Sequence, residues 1–291
     1  KIVLKKLSYL LQFILIYLIY LILNFVPIKT SAAIGAFLFF CLGSLTSINN
    51  IAIANCKSVF PNLKSSQIKK IIRDSWKNLG INLVELKRLN KLINDKNRVQ
   101  VKGLENIKEI LQNNEQAIFI GIHQSNWELI LPILDRLGIK AGAIYRHLNN
   151  SYVDRLVYKF RKSSLVSNKS FYTPKGIKSA KQIIENVKNR NSFVLLVDQK
   201  DSAGEQISFF NKKVKTQIGF LKIARSYNLP IIPIRNQRLT NGSYILSFEK
   251  AFYNNNKNIS DKDMMVKIHR IIEIWIKEKP SQWFWQHKRF N

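Results

Sequence analysis

Residues 117–128 read AIFIGIHQSNWE, and this stretch decides how the rest of the chain is interpreted. Its first half is a run of strand-forming residues that ends at His123, and Ser125 or Asn126 can cap a helix that begins directly afterwards. A strand followed at once by a helix is the repeating unit of a parallel α/β sheet. His123 is therefore expected at the carboxyl edge of a sheet, beside a helix N-terminus, where open α/β folds bind ligands.

Strand and helix patterns alternate along the rest of the chain from about residue 96 to residue 291. The predicted strands are residues 117–123, 141–145, 193–198, 230–237 and 244–248. The predicted helices are residues 104–112, 125–137, 152–162, 175–188, 217–227 and 261–277. This alternation predicts the α/β class, with a mixed, largely parallel sheet flanked by helices.

The N-terminal part is apolar and has no such alternation. Residues 7–26 contain no charge and are long enough, at about 20 residues, for a transmembrane helix. Three lysines precede them at positions 1, 5 and 6, and no clean signal-peptidase site follows. We therefore expect residues 1–26 to form a membrane anchor, either transmembrane or interfacial. Residues 27–95, which include a second apolar stretch at 32–48, are expected to form a helical region ahead of the α/β core.

The composition limits the partners and excludes some kinds of site. The formal net charge of +29 favours anionic partners, although the abundance of lysine, asparagine and isoleucine is equally typical of AT-rich coding. The two cysteines and four histidines lack metal-type spacing, and no phosphate-binding or dinucleotide-binding glycine motif occurs. The sequence therefore predicts neither a metal nor a cofactor. A nucleic-acid partner is disfavoured because a membrane segment is present and no binding motif is.

His123 and Glu128 are five residues apart, which is compatible with a functional pair. From the first turns of the following helix, the Glu128 carboxylate can fold back to one imidazole nitrogen of His123. Such a contact would fix the tautomer and stabilise the imidazolium while the other nitrogen takes a proton from a hydroxyl. A structural histidine and a solvent-facing glutamate fit the same spacing equally well.

The residues around this pair resemble a known family. His123 and Glu128 match the H-x4-D/E signature of the glycerolipid acyltransferase superfamily, and residues 121–129 (GIHQSNWEL) are similar to the lipid A late acyltransferases, the lauroyl/myristoyl acyltransferase family. Further matching elements follow in order, namely NCKSVFP at 55–61, YRHLNN at 145–150, Arg161, Asp198-Gln199 and WFWQHKRF at 283–290. The chain departs from the family pattern at His147, where proline is expected, and at Asn211, where glycine is expected.

The resemblance implies a reaction, partners and site residues. The reaction would move a fatty acyl group from an acyl carrier protein thioester to a hydroxyl of a lipid A precursor, the secondary acylation of lipopolysaccharide biosynthesis. His123 would be the general base and Glu128 its orienting partner, while Arg161 would stabilise an oxyanion or bind an acceptor phosphate. Substrate-binding roles are expected for five other residues, namely Arg146, Asn126, Trp127, Asp198 and Gln199.

Other functions stay open on the sequence alone. A phospholipid or glycerol-phosphate acyltransferase would also use the His-Gln-Ser run, but the Phe-Pro-Glu-Gly element of that group is missing. A non-catalytic membrane protein on the same scaffold is a second alternative. For the acyltransferase, an acyl carrier donor implies the bacterial inner membrane with the catalytic domain facing the cytoplasm. The N-terminal lysines by themselves favour a cytoplasmic N-terminus, so the topology of residues 1–48 is not settled by the sequence.

Overall fold

The computed structural model describes residues 2–174, 177–255 and 258–290, and it has a mixed α/β fold. The helices are α1 (Ile2–Leu23), α2 (Ile28–Gly43), α3 (Ile48–Val59), α4 (Ser65–Glu85), α5 (Leu89–Asn94), α6 (Lys108–Asn113), α7 (Ile130–Arg136), α8 (Ser151–Ser163), α9 (Ile177–Lys188), α10 (Gly219–Ser226) and α11 (Asp261–Glu278). The strands are β1 (Val99–Lys102), β2 (Ile118–Gly121), β3 (Ala141–Tyr145), β4 (Phe171–Pro174), β5 (Ser192–Leu196), β6 (Glu205–Phe209), β7 (Lys212–Thr216), β8 (Pro230–Arg238), β9 (Tyr244–Phe248) and β10 (Phe252–Tyr253). The first two residues of the helix predicted at 175–188 lie outside the described residues.

The main sheet confirms the predicted fold class. Its strand order is β1-β9-β8-β2-β5-β3-β4, with β10 pairing to β8. The strands β8, β2, β5, β3 and β4 run parallel to one another, while β9 is antiparallel to β8. The strands β6 and β7 form a separate antiparallel hairpin. Because β2 lies between β8 and β5, the residues that follow β2 and β5 meet at one edge of the sheet.

The central strand β2 is buried on both faces. Its alternate side chains divide between two hydrophobic clusters, with Ile118 and Ile120 in one and Phe119 in the other. The first cluster also contains side chains of α3, α4, α10, α11 and the C-terminal segment, and the second contains side chains of α7 and α8. Strands that are covered on both faces read as continuous apolar runs, which is why residues 117–122 identified this strand.

The helices α2 and α4 cross with their backbones in close contact. Gly35 of α2 and Gly80 of α4 face each other, and a Cβ atom at Gly35 would lie 2.6 Å from the carbonyl oxygen of Gly80. No real Cβ contact is this short against a backbone atom, so only glycine fits at this position. The next helix, α3, turns away from α2 at 92°. The crossing therefore packs the apolar helix α2 against α4, and α4 in turn contacts the residues that follow β2.

The first helix, α1, is long and apolar enough to cross a membrane. Only 11% of its most apolar 18-residue window is buried against the rest of the protein. An exposed apolar surface of this size is typical of a face that contacts a membrane or another protein. This finding agrees with the membrane anchor that the sequence predicts.

We expect Gly35→Ala to lower the free energy of unfolding by about 1–3 kcal/mol, because the added methyl group forces the two helices apart. Alanine has the higher helix propensity, so a loss of stability would identify the crossing as its cause. Thermal unfolding in detergent measures the effect. The control is Ala33→Ser, which adds an atom at an exposed position of the same helix. Equal melting temperatures for Gly35→Ala and the parent would show that the crossing is not tightly packed.

Candidate active site

His123 lies just beyond the end of β2 and is held by Asp198, which lies just beyond the end of β5. Nδ1 of His123 is 2.7 Å from Oδ1 of Asp198, and the backbone N–H of His123 donates to Oδ2 at 2.9 Å. The two strands pair in parallel, so their ends bring together residues that are 75 positions apart in the chain. The His123 side chain is 17% exposed, whereas that of Asp198 is 2% exposed.

The surroundings of Asp198 fix its ionisation and the tautomer of His123. Trp283 donates its indole Nε1–H to Oδ2 of Asp198 at 2.7 Å. Burial by itself would raise the pKa of this carboxyl, but the charge of His123 and the hydrogen bonds from His123 and Trp283 outweigh it and lower the pKa. An ionised carboxylate only accepts hydrogen bonds, so Nδ1 of His123 carries a proton. In the neutral imidazole, Nε2 then has a free lone pair.

The prediction that Glu128 hydrogen-bonds to His123 is wrong, because the two side chains have other partners. A 3₁₀ turn over Trp127–Leu129 precedes α7 and directs the Glu128 side chain towards α8. There Arg161 donates from Nε to Oε2 at 2.8 Å and from Nη2 to Oε1 at 2.6 Å. Trp127 donates its Nε1–H to Oε1 at 3.2 Å. Both carboxylate oxygens of Glu128 are thus used, and the orienting acid of the histidine is Asp198.

Arg161 and Glu128 form a charge pair beside the histidine. The side chains are 17% and 11% exposed, so the pair is shielded from water. Burial opposes ionisation of Glu128, but the charge and hydrogen bonds of Arg161 lower the Glu128 pKa. The guanidinium also lies over the rings of Tyr145 and Tyr172, at 5.5 and 5.9 Å from their centroids. The guanidinium of Arg161 is therefore held in a fixed position by Glu128 and the two tyrosine rings.

The chain makes a tight turn directly after His123. Ser125 has a φ of 56°, in the left-handed region that residues other than glycine rarely occupy. The backbone N–H of Ser125 donates to the carbonyl of Gln282 at 2.8 Å, and its carbonyl accepts from Asn78 at 3.2 Å and from Asn82. Such strain persists only where neighbouring groups hold it. The turn is thus fixed from both sides, by α4 and by the C-terminal segment.

The side chain of Asn126, a predicted substrate-binding residue, is turned into the protein interior. It is fully buried and donates from Nδ2 to Oε2 of Glu85 at 3.0 Å. Glu85 also accepts from the Tyr244 hydroxyl and lies 3.5 Å from Arg238. Asn126 precedes the 3₁₀ turn without making a side-chain cap, so the capped helix predicted from residue 125 starts only at Ile130. The contact with Glu85 holds Asn126 in the turn, as the contact with His123 holds Asp198, and the substrate-binding roles of both residues stay predictions.

Two aromatic side chains flank the histidine. The ring centroids of Trp127 and Phe284 lie 5.2 and 6.1 Å from that of His123. Both aromatic residues are half-buried, and the backbone N–H of Phe284 donates to the His123 carbonyl at 2.9 Å. Of the other predicted substrate-binding residues, Gln199 is half-buried next to Asp198, and Arg146 is exposed at the end of β3. The carbonyl of Gln199 accepts from Nη1 of Arg289 at 3.2 Å.

The supporting residues Asn78, Asn82, Glu85 and Trp283 were missed by sequence reasoning. Asn78, Asn82 and Glu85 recur every three or four residues on the buried face of α4. Polar residues at helical spacing within an apolar face are a signal that could have revealed this network. Trp283 carried no comparable signal, because a buried tryptophan in an aromatic segment usually indicates core packing.

The structure has a largely parallel sheet with a carboxylate-held histidine at its carboxyl edge and a paired arginine nearby. These features define a class of α/β proteins with a histidine placed to take a proton from a hydroxyl. Their arginine is placed to stabilise the negative charge that develops on the oxygen of an attacked carbonyl. Among the residues that the structure describes, no group of three or more His, Cys, Asp or Glu side chains could hold a metal ion.

Comparisons with known proteins identify the family within this class. The chain belongs to the bacterial lipid A biosynthesis acyltransferases, whose family model matches residues 1–291. It is 24% identical to the lipid A biosynthesis palmitoleoyltransferase of Escherichia coli (strain K12) and to the lipid A biosynthesis acyltransferase of Shigella flexneri, over 83% of this chain and 78% of each relative. A crystal structure of the 1-acyl-sn-glycerophosphate (LPA) acyltransferase PlsC from Thermotoga maritima aligns with a TM-score of 0.42 at 15% identity, over 89% of this chain and all of that one.

We expect Glu128→Gln to destabilise the protein at pH 7 by roughly 3 kcal/mol, because it leaves the Arg161 cation largely buried without a counter-charge. A carboxyl whose folded pKa is depressed contributes stability above its unfolded pKa of about 4.3, and the contribution is lost as the pH falls through the lower folded value. The difference from the parent should therefore shrink below about pH 4, measured by chemical denaturation at several pH values.

The matched control for this prediction is Glu109→Gln, which replaces an exposed glutamate of α6. It should leave the free energy of unfolding nearly unchanged at every pH measured. A difference between Glu128→Gln and the parent that stays constant from pH 7 to pH 3 would contradict an ionised Glu128 in the folded state.

Proposed function

We propose that this lipid A acyltransferase takes its acyl group from an acyl carrier protein thioester and uses His123 as the general base. The observation that carries the proposal is the His123–Asp198 pair. Asp198 occupies Nδ1, so the basic nitrogen Nε2 is left for a hydroxyl in a partly exposed site between Trp127 and Phe284. Asp198 is the orienting acid in this mechanism, a role that the sequence analysis gave to Glu128.

The reaction needs no covalent enzyme intermediate. Nε2 of His123 takes the proton of the acceptor hydroxyl as its oxygen attacks the thioester carbonyl. The resulting oxyanion collapses, the carbon–sulfur bond breaks, and the carrier thiol leaves with the proton from His123. Asp198 stabilises the imidazolium that exists between the two proton transfers. The remaining contribution comes from holding thioester and hydroxyl in contact, which can supply a large part of the rate enhancement.

Arg161 is the proposed electrostatic partner of this chemistry. A guanidinium has five N–H donors, and Glu128 takes two of them, so donors remain for a substrate oxygen. Either an oxyanion or an acceptor phosphate suits this planar fork. The proposed role of Glu128 is to hold the fork in position. Its bidentate contact removes the rotational freedom that an unpaired arginine would have to lose when substrate binds.

The other predicted substrate contacts divide into an apolar and a polar group. Trp127 forms an apolar border next to His123 together with Phe284, which was not among the predicted contacts, and this border suits an acyl chain. Arg146 directly follows β3 and Gln199 lies three residues beyond β5, at the same edge of the sheet, and both suit polar or phosphorylated parts of the substrates. Because an acyl carrier protein donor requires a catalytic domain in the cytoplasm, the proposed reaction takes place on the cytoplasmic side of the inner membrane. By family resemblance the enzyme is expected to be of the lauroyl/myristoyl transferase type, and the acyl chain length is determined by the assay with thioesters of several lengths.

The donor is tested with purified protein, acyl carrier thioesters of several chain lengths and defined lipid A precursors, with products read by mass spectrometry. Transfer from the carrier protein should fall with added salt more steeply than transfer from an uncharged thioester analogue, because charge attraction is screened over about 8 Å at physiological ionic strength. Product formed only from another acyl donor would refute the carrier assignment and leave the family membership standing.

We expect His123→Ala to lower kcat by about 10²–10⁴-fold, the usual contribution of a general base. Asp198→Asn should cause a loss of similar order, because an amide can donate to Nδ1 and favour the tautomer with Nε2 protonated. The double variant should be little worse than His123→Ala alone, since the two residues act as one unit. Asp74→Asn, at a surface pair with Lys77, is the control. Normal turnover by folded Asp198→Asn would overturn the role of Asp198.

Arg161→Lys keeps the charge and loses the planar fork, so substantial activity should be lost. The comparison variant is Arg155→Lys, an exposed arginine on the same helix, which should be fully active. A loss mainly in kcat would favour the oxyanion role, and a loss mainly in the KM of the acceptor would favour phosphate binding. Full activity of Arg161→Lys would leave Arg161 a structural partner of Glu128 only.

A further inference from the structure

The helix α1 is attached to the rest of the protein along most of its length. The carbonyl of Tyr9 accepts from Asn150 at 2.9 Å, and the ring of Phe13 lies 5.9 Å from that of Tyr152. Further along, the ring of Tyr20 packs edge-on against Phe160 at 4.8 Å. The partners Asn150, Tyr152 and Phe160 all belong to α8 or its N-cap. The two helices therefore lie alongside each other, in contrast to an anchor that leaves the domain at one end.

The opposite face of α1 is apolar and exposed. The contacts above fall on residues 9, 13 and 20, which is one stripe of a helix. A second stripe, Leu4, Leu7, Leu11, Leu15, Leu18 and Ile22, points away from the protein, and Leu15 is 61% exposed. This lipid-facing stripe is defined by those six residues. One face of α1 is thus covered by protein and the other is available to lipid, from the first turn to the last.

Three cationic side chains lie along α1, near its start, its middle and its end. Lys5 lies 5.5 Å from the ring of Tyr9, near the start of α1. Arg155 lies 5.2 Å from the ring of Tyr152, beside the middle of the helix. Lys87 lies 5.8 Å from the ring of Phe160, beside its last turns. A cation row of this length is complementary to the anionic headgroups of a membrane surface.

We propose that α1 lies in the plane of one membrane leaflet and does not cross the bilayer. If α1 crossed, its 21 residues would extend through the hydrocarbon core of about 30 Å, and α8 would have to enter the core beside it. At least one of the three cations, and the polar Asn150, would then lie at a depth where charged and polar groups are costly. In the plane, the lipid-facing stripe enters the acyl region while the cations stay among the headgroups.

This placement also brings the candidate site to the leaflet surface. Phe160, which packs against Tyr20 of α1, is followed directly by Arg161 of the site. A lipid acceptor would therefore reach the site from the leaflet in which α1 is embedded. The inference about α1 does not depend on the reaction, because it rests on packing and charge, and it is tested without an activity measurement.

The test measures the depth of single spin labels in vesicles of phosphatidylethanolamine and phosphatidylglycerol. The full chain is used with Cys41→Ser, and the fully buried Cys56 is retained. Labels are introduced one at a time with Leu7→Cys, Leu11→Cys, Leu15→Cys, Leu18→Cys and Ile22→Cys. Depth follows from collision rates with oxygen and with a nickel chelate. Melting temperatures establish that each variant is folded, and Ile274→Cys, exposed on α11, provides the aqueous reference.

An in-plane helix should give all five labels a similar depth, about 5–10 Å below the headgroup boundary. A crossing helix would place the label at position 15 about 10 Å deeper than those at positions 7 and 22, since the rise is 1.5 Å per residue. That profile would overturn the proposal. Labels that are all as exposed to water as the Ile274→Cys reference would also overturn it, because the stripe would then lie in water and not in lipid.

Discussion

The carboxylate of Asp198 is the group on which the geometry of the site depends. It accepts three hydrogen bonds, from the backbone and ring of His123 and from the indole of Trp283. A buried carboxylate without such donors would be strongly disfavoured, so the three donors and the charge stabilise one another. Through Asp198 the ends of two parallel strands and the C-terminal segment are tied to the histidine. The position of His123 thus follows from the fold and not from its own rotamer preference.

A second constraint surrounds the turn that follows the histidine. The left-handed Ser125 and the buried Asn126 are held by polar side chains of α4, with Glu85 paired to Arg238 behind them. Substitutions in a buried polar network of this kind are strongly destabilising, because a group that loses its partner stays buried without a hydrogen bond. The residues at the sheet edge are held by many hydrogen bonds. The outer face of α1, in contrast, has no protein partner among the described residues. The fixed site and the lipid-facing helix are joined through α8, which contributes to both.

The sequence predicted the central strands well and the histidine pairing wrongly. The bounds of β3 and β9 were predicted to the residue, because both are short apolar runs between turn signals. The β6–β7 hairpin was missed, since KKVKT at 212–216 is mostly exposed and lysine-rich. The choice between Asp198 and Glu128 depends on which strand lies next to β2, and a local spacing of five residues carries no information about that. The partner of Glu128 is Arg161 on a different helix, 33 residues further along the chain.

Imidazole-¹⁵N nuclear magnetic resonance measures most directly whether Asp198, and not Glu128, orients the histidine. The protein is labelled at its histidines, and the His123→Ala variant assigns the His123 signals. In the neutral imidazole of His123 the proton should reside on Nδ1 with Nε2 unprotonated, and Glu128→Gln should leave this pattern intact while Asp198→Asn abolishes it. A proton on Nε2 in the parent, or a tautomer that changes with Glu128→Gln and not with Asp198→Asn, would contradict the account.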